Sequence, residues 1–110
     1  MQINRFEDLE VWQTARSLAN SIYNLTNCDD SSKEFALRVQ LRRSAISVMA
    51  NIAEGFERKS NKDFVRFLRY SISSAAESKS HLYLAMDQNY ISQDQFDECS
   101  TKLDSVSKQI

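Results

Sequence analysis

Few residues in this chain have the types and spacing that catalysis or metal binding requires. The single histidine, His81, follows Glu77 by four residues, so the two side chains can share one face of a helix. A di-iron centre in a helical bundle would need Glu-x-x-His motifs, and the sequence contains none. It also lacks an HExxH motif, a credible Ser-His-Asp set and the glycines of a phosphate-binding loop. We therefore expect no catalytic residue, no metal site, no cofactor and no small-molecule substrate, with His81 at the surface or in packing.

Carboxylates and thiols give no stronger indication of chemistry. Glu54 and Glu77 could form a carboxylate pair on adjacent helices, but without a sign of a cleft they are better interpreted as partners for arginines. Cys28 and Cys99 are far apart and form neither a CxxC nor a Cys/His pattern, so two free thiols are expected. A disulfide between them has no support in the sequence. Together these patterns indicate that the protein is not an enzyme.

The charged residues are distributed unevenly along the chain. A net charge of −1 and an isoelectric point near 5.8 argue against a general polyanion binder. Residues 38–69 nevertheless carry eight basic and three acidic side chains, whereas the segments before and after each carry three basic and six acidic ones. Clustered Arg and Lys release counterions from nucleic acid, which predicts a phosphate-contacting surface. The best candidates for an exposed surface of this kind are Arg58, Lys59, Lys62, Arg66 and Arg69.

A structural interpretation of the same charges is also available. The basic residues could form salt bridges to the acidic helices on either side, or simply be solvated. Arg42 and Arg43 lie within an apolar segment, so their charges are expected to find partners inside the structure. The overall acidity of the chain favours this structural interpretation, and the sequence leaves both open.

The elements that must position these residues are helical. The 110-residue chain has no proline and one glycine, Gly55, and it is rich in strong helix formers. Apolar residues recur at helical spacing in four segments, and Ser31, Ser60 and Ser92 open three of them with capping patterns. Short connections between the segments predict an all-α, antiparallel up-down-up-down four-helix bundle. We predict a single domain, residues 1–110, with helices over residues 6–26, 31–57, 60–88 and 92–110.

The apolar stripes predict how the helices pack. The stripe of the third segment has Ser71, Ala75 and Ser78 at its centre, so a neighbouring helix is expected to come close there. From residue 45 onward the second segment is apolar over most of its circumference, which predicts an additional partner, most simply another copy of the chain. Gly55 is expected to mark a close backbone approach or the end of a helix, and Asn89 a left-handed C-cap with Tyr90 and Ile91 folding back. The full third stripe is Phe64, Leu68, Ser71, Ala75, Ser78, Leu82 and Ala85.

No targeting or membrane segment is predicted. The first twelve residues, MQINRFEDLEVW, lack the basic-then-apolar pattern of a signal peptide. No window approaches the roughly 18 apolar residues that a membrane span requires. We therefore expect a cytoplasmic protein that makes no membrane contact.

Three strings in the chain resemble one protein family: FEDLEVWQTARSLANSIY, QLRRSAISVMANIAEG and SNKDFVRFLRYSISSAAES. They resemble the four-helix-bundle proteins encoded by intervening sequences of bacterial 23S ribosomal RNA genes, which are often labelled ribosomal-protein-like. The same family includes the accessory variability protein of diversity-generating retroelements. The similarity covers essentially the whole chain in one order. The matching signature residues are Gln40, Arg42, Arg43, Ser47, Asn51, Glu54, Gly55, Arg58, Ser60, Phe64, Phe67, Leu68, Ser74 and Glu77.

The resemblance implies a homopentamer of antiparallel bundles around a central channel. For the retroelement branch it also implies binding of RNA and of a reverse transcriptase through a basic surface. The chain departs from the family at Ser71 and Ser73, where alanine and glycine are usual, and at Met49 or Ala50, where a proline is common. It also lacks the strongly basic charge of the retroelement proteins. The signature is mostly structural, and the residues assigned to packing or interfaces are Arg42, Arg43, Asn51, Glu54, Gly55 and Glu77.

Two functional hypotheses follow from the sequence. The first is a non-enzymatic oligomeric bundle associated with RNA or with a nucleic-acid-processing protein, as an intervening-sequence or retroelement-accessory protein would be. The second is a protein-binding scaffold oligomer with no role in nucleic-acid binding. The basic segment favours the first hypothesis, and the apolar circumference of the second helix favours the second.

Overall fold

The protein is built from four helices, as seen in a computed structural model that describes residues 2–27 and 35–110. No strand occurs within those two ranges, so the predicted all-α class with four helices is confirmed. The shape is elongated, with extents of 45 × 22 × 20 Å. A short 3-10 helix, Phe6–Asp8, precedes α1 (Glu10–Thr26), α2 (Phe35–Glu57), α3 (Asn61–Asp87) and α4 (Gln93–Gln109).

Serine caps fix the start of two helices. At the start of α3, the Ser60 hydroxyl accepts a hydrogen bond from the backbone N–H of Asp63 at 3.3 Å. At the start of α4, Ser92 and Gln95 exchange side-chain and backbone hydrogen bonds in a complete capping box. Both predicted caps are therefore confirmed, because each satisfies backbone N–H groups that have no partner within the helix. The cap predicted at Ser31 lies outside the described residues.

The structure also defines the start of α1 and the end of α3 more closely than the sequence does. A 3-10 helix occupies the start of the first segment, which was predicted to begin at about residue 6, because Leu9 has an extended backbone (φ −73°, ψ 125°) and packs against the core. This separates Phe6–Asp8 from α1. After α3, Asn89 adopts the predicted left-handed conformation (φ 61°), and the Tyr90 N–H bonds to the Ala85 carbonyl at 2.9 Å. Ile91 is buried as expected, whereas Tyr90 stays exposed.

One apolar core is shared by all four helices. The helix α1 packs against α2 and α4, and α3 packs against the same two helices, with the largest contact between α2 and α3. In α3 the predicted stripe is buried from Ser71 to Ala85, but at its beginning Phe67 is buried instead of Phe64 and Leu68, which are only partly covered. The reason is that Phe67 faces α2 at Gly55. The largest fully buried apolar side chains are Leu18, Ile22, Val48, Ile52, Leu82, Leu103 and Val106.

The contact between α2 and α3 is made by serine hydroxyls and small side chains. Ser78 donates to the Ser44 hydroxyl at 2.7 Å, and Ser44 donates to the Leu41 carbonyl at 3.1 Å, so both buried hydroxyls are satisfied. The buried Ser71 hydroxyl donates across the interface to the Val48 carbonyl at 2.8 Å. Burying a hydroxyl without a partner is costly, so these bonds are what allow serine at the seam.

A second serine pair extends this seam toward the surface. The Ser47 and Ser74 hydroxyls lie 2.8 Å apart, and Asn51 donates to both the carbonyl and the hydroxyl of Ser47 at 2.9 and 3.0 Å. Because serine side chains are small, the two helices can lie close together, as the Ser-Ala-Ser pattern predicted. We refer to the row formed by Ser44, Ser47, Ser71, Ser74, Ala75 and Ser78 as the serine seam.

Gly55 marks the closest approach of α2 to α3. A Cβ atom at this position would lie 2.6 Å from the Cβ of Phe67 and 3.2 Å from a ring carbon of Phe64. The Phe67 Cβ is attached directly to the helix backbone, so it cannot move aside without shifting α3. The close approach predicted for Gly55 is therefore confirmed, and it lies two residues before α2 ends at Glu57.

The extra apolar surface of α2 is not covered within one chain. Ile46 is 43% exposed, Ala50 is exposed, and Met49 and Ala53 are partly exposed. Val39 lies at the same side of the helix with 36% exposure. These residues occupy the side of α2 that faces away from the serine seam, so the bundle leaves an apolar strip on its outer surface.

Substituting Ala75 by Phe should weaken the bundle. Ala75 is 3% exposed at the serine seam, so an added ring must displace α2, at a cost of about 1–3 kcal/mol in unfolding free energy. The matched control is Ala76→Phe, since Ala76 is exposed on the same helix and should change stability by less than about 0.5 kcal/mol. Urea unfolding followed by circular dichroism measures both, and equal midpoints for the two variants would contradict the assignment of the seam.

Candidate nucleic-acid interface

The five predicted cationic residues lie together around the turn between α2 and α3. All five side chains are exposed, and Lys62, Arg66 and Arg69 share one face of α3 because they are spaced by four and three residues. Arg58 and Lys59 belong to the turn itself. The structure therefore brings together the residues that the sequence assigned to one surface. We call Arg58, Lys59, Lys62, Arg66 and Arg69 the basic surface.

A short turn holds the two halves of the basic surface in place. Only residues 58–60 separate α2 from α3. The N–H groups of Arg58 and Lys59 bond back to the carbonyls of Gly55 and Phe56 at 3.3 and 3.4 Å, and Ser60 caps α3. Lys59 has a φ of 59°, the left-handed conformation that usually carries glycine after a helix. The turn therefore holds Lys59 in a backbone conformation that is strained for a residue with a side chain.

Aromatic rings support the cations of the turn. The guanidinium carbons of Arg58 and Arg66 lie 5.0 and 5.2 Å from the centre of the Phe67 ring. The Lys59 ammonium lies 5.1 Å from the ring centre of Phe56. Contacts of this kind are worth about 0.5–1 kcal/mol at exposed sites, and they restrict where the charged groups lie. Phe67 also contacts the Tyr70 ring, with centroids 5.3 Å apart and planes at 82°.

The ion pairs of the basic surface are local and exposed. Arg58 pairs with Glu54 at 3.1 Å, and Arg66 pairs with Asp63 at 3.3 Å. Exposed pairs of this type contribute about 0–1 kcal/mol, so they can be exchanged for another anion at little cost. Within residues 2–27 and 35–110, Lys62 and Arg69 have no ion pair, and no cation of the basic surface pairs with an acidic residue of α1 or α4.

Two surface depressions flank the turn. One, of about 530 Å³, is lined by Val65 together with Lys62, Arg66, Arg69 and two polar neighbours. The other, of about 400 Å³, lies between the N-terminal residues 2–4 and the turn, where Lys59 and Ser60 form part of its lining. The basic surface thus adjoins two open depressions rather than an enclosed pocket, which suits a long ligand better than a small one.

The residues predicted to be structural have different surroundings. Arg42 donates to the Thr26 hydroxyl at 2.8 Å and lies over the Tyr23 ring at 4.3 Å, so it ties α2 to α1. Arg43 was expected to find a partner, but within the described part of a single chain it has none, because its position on α2 faces solvent. Asn51 belongs to the polar edge of the serine seam, and Glu54 pairs with Arg58.

The side chains that were considered for catalysis or metal binding lie in different surroundings. The nearest atoms of His81 and Glu77 lie 4.0 Å apart, and His81 is partly buried. Cys99 is buried in the core, and this burial raises the pKa of its thiol to about 11, which keeps it protonated and unreactive at neutral pH. Cys28 lies outside the described residues. Among the described residues, no cluster of His, Cys, Asp and Glu could hold a metal ion.

No helix in the described ranges is long and apolar enough to cross a lipid bilayer.

Phe67 and Tyr70 are the residues that reasoning from the sequence missed. Phe67 entered only as one of the residues shared with the family, and Tyr70 was not singled out. Their spacing of three residues places both rings on one side of α3, close to Arg66, and this signal was present in the sequence. That Phe67 also supports Arg58 depends on the packing of α2 against α3, which the spacing does not reveal.

Comparison with known proteins identifies relatives of the whole chain. The model of the 23S rRNA-intervening sequence protein family matches residues 7–110. Among solved structures, the chain is similar to a protein of unknown function from the S23 ribosomal protein family of Bacteroides thetaiotaomicron. The two are 28% identical with a TM-score of 0.82, over 89% of this chain and 92% of that one. No curated protein matches the sequence.

Substituting Lys59 by Gly should stabilise the protein although it removes a cation. A side chain in the left-handed region costs about 1–2 kcal/mol, and part of this gain is lost to the greater freedom of glycine in the unfolded chain. We expect a net increase of up to about 1 kcal/mol in unfolding free energy. Lys62→Gly, within the first turn of α3, is the control and should lower stability. A loss of stability in both variants, measured by urea unfolding, would argue against strain at Lys59.

Proposed function

The chain belongs to the 23S rRNA-intervening sequence protein family, and we propose that it is a non-enzymatic, cytoplasmic bundle that binds RNA through the basic surface. The main support for this proposal is that Lys62 and Arg69 are exposed and have no acidic partner within residues 2–27 and 35–110. Cations held on a rigid helix and left without partners are available to phosphates. The comparisons place the chain in a family named after an RNA gene element, which is compatible with this role.

The local charge supports RNA binding despite the acidic total. Between residues 54 and 69 the chain has five basic and three acidic side chains, a local net charge of +2. Arg58 and Arg66 can exchange their exposed carboxylate partners for phosphate at little cost, since such pairs contribute about 0–1 kcal/mol. Attraction to a polyanion acts over about 10 Å at 0.1 M salt, so the acidic residues of distant helices are largely screened.

The proposal also includes association between copies of the chain. We infer that the four helices alternate in direction, which is supported by the facing pairs Ser44–Ser78 and Gly55–Phe67 occurring in opposite order along α2 and α3. We also infer that the uncovered strip of α2, which includes Val39, Ile46 and Ala50, contacts another copy of the chain. The homopentamer implied by the family resemblance would repeat the basic surface five times, and repetition strengthens binding to a long ligand.

A second candidate function is a protein-binding scaffold. The same apolar strip supports it, because an exposed apolar surface can receive another protein as well as a second copy. In that case the basic surface would be solvated charge without a ligand, and a nucleic-acid-processing protein would be one class of partner. RNA binding and scaffold function make different predictions about salt and about nuclease treatment.

The RNA-binding proposal predicts a steep dependence of affinity on salt. For single strands, log K falls with log salt by about 0.7 for each phosphate neutralised, so a variant with Lys62→Ala and Arg69→Ala should lose about 1.4 from the slope and bind more weakly. Filter binding of a single-stranded RNA between about 50 and 200 mM salt measures this.

The control for this experiment removes equal charge elsewhere. Arg16→Ala with Lys79→Ala neutralises one arginine and one lysine in the bodies of α1 and α3, away from the turn. This variant should keep the wild-type slope. A flat salt response of the wild type, or equal losses in both double variants, would contradict RNA binding by the basic surface. A partner protein that is retained after nuclease treatment would then favour the scaffold.

The assembly proposal predicts the mass of the particle in solution. Light scattering should give five times the 12.7 kDa mass of the chain. Ile46→Lys places a charge in the uncovered strip, so it should reduce the mass. Lys79→Arg keeps its charge on α3, where Lys79 pairs with Asp104 of α4, and should not. A 12.7 kDa particle for the wild type would refute self-association, and a wild-type mass for the Ile46 variant would move the interface to another face.

A further inference from the structure

Tyr70 is an exposed aromatic side chain beside the basic surface. It is 47% exposed, and its ring lies nearly perpendicular to the buried Phe67 ring. It follows Arg66 by four residues, so the two side chains lie on the same face of α3. Within the described residues, no hydrogen bond involves its hydroxyl group. Nearly half of the side chain is therefore open to solvent at the place where the cations converge.

The other tyrosines differ from Tyr70 in their surroundings. Tyr23 is exposed on α1, but the Arg42 guanidinium lies over its ring at 4.3 Å. Tyr83 packs against Phe96 in the half of the bundle that is distant from the turn, with ring centroids 4.7 Å apart. Tyr90 follows the end of α3, at the opposite end of that helix from the turn. Tyr70 is thus the one tyrosine of the four in the sequence that adjoins the basic surface.

Phe67 organises the groups around Tyr70. It is 7% exposed and contacts Tyr70 while the guanidinium groups of Arg58 and Arg66 lie over its ring. The exposed Tyr70 ring and the guanidinium carbons of Arg58 and Arg66 therefore each lie 5.0 to 5.3 Å from the centre of one buried ring. Cations beside an aromatic platform are the combination that binds single-stranded nucleic acid, since phosphates contact the cations and bases stack on the ring.

We propose that the basic surface binds unpaired RNA, with a base stacked on Tyr70 and the adjoining phosphates held by Arg58 and Arg66. This inference rests on the proposed RNA-binding function and specifies the class of RNA. A paired base cannot reach the ring, because its faces are covered by its neighbours in the helix, whereas the bases of loops and single strands can be splayed onto aromatic side chains. Paired RNA would contact the cations alone.

The test compares an unstructured pyrimidine RNA of roughly 12 nucleotides with a blunt-ended RNA duplex of equal phosphate number, by fluorescence anisotropy. Tyr70→Ala should weaken binding of the unpaired RNA roughly 5- to 150-fold, the effect of losing one stacked base. The salt slope should stay unchanged, because no charge is removed. Duplex binding should change much less. Tyr70→Phe retains the ring and should bind like the wild type.

Two further variants distinguish the loss of stacking from a structural effect of the substitution. Tyr70→Leu keeps an apolar contact with Phe67 but offers no ring, so it should bind like Tyr70→Ala while remaining folded by circular dichroism. Tyr83→Ala removes a tyrosine from the distant half of α3 and should bind unpaired RNA normally. Losses of the same size with unpaired RNA and duplex, or no loss with Tyr70→Ala, would overturn the stacking proposal.

The two proposals fail in different ways. If the wild type binds neither RNA, the proposed function is wrong. If the wild type binds both RNAs equally, and Lys62→Ala with Arg69→Ala weakens both while Tyr70→Ala weakens neither, RNA binding stands and the stacking proposal is wrong. A reduced particle mass for Tyr70→Ala in light scattering would assign Tyr70 to a contact between copies and would also overturn the stacking proposal.

Discussion

The close approach of α2 to α3 is the constraint on which the rest of the structure depends. At Gly55 the two backbones are so near that a methyl group would lie 2.6 Å from the Phe67 Cβ. Farther along, the helices are separated only by serine and alanine side chains, whose hydroxyls bond to one another or to the Val48 carbonyl. Helices that meet through small residues gain close van der Waals packing, and this packing fixes their relative position more narrowly than large flexible side chains would.

This constraint also determines the form of the basic surface. Phe67 lies against Gly55 on one side and supports the guanidinium groups of Arg58 and Arg66 on another. A larger residue at position 55 would therefore move the ring that orients the cations. Helix packing and the placement of the cations are coupled through this ring, so the tight turn between α2 and α3 also orients the basic surface. At this turn the buried Phe67 ring contacts the exposed cations.

The distribution of charge gives an acidic protein a local basic surface. The net charge of −1 includes acidic side chains on α1 and α4, and in the described residues none of these pairs with the basic surface. Within residues 2–27 and 35–110, Arg58 and Arg66 pair only with their neighbours Glu54 and Asp63, at the four- and three-residue spacing of exposed helix pairs. In the same ranges Lys62 and Arg69 have no ion pair. The total charge of a chain is therefore a poor guide to the local field at a short turn.

The sequence by itself determined the features that depend on neighbouring residues. The helical class, the caps at Ser60 and Ser92, the left-handed Asn89 and the small seam around Ala75 all follow from contacts within one or two turns of helix, which spacing and residue type reveal. Only the tertiary structure decided that Phe67 replaces Phe64 on the buried face and that Arg42 bonds to Thr26 while Arg43 faces solvent. These outcomes depend on residues from different helices meeting in space, and helical periodicity does not specify which side chain of one helix meets which side chain of the next.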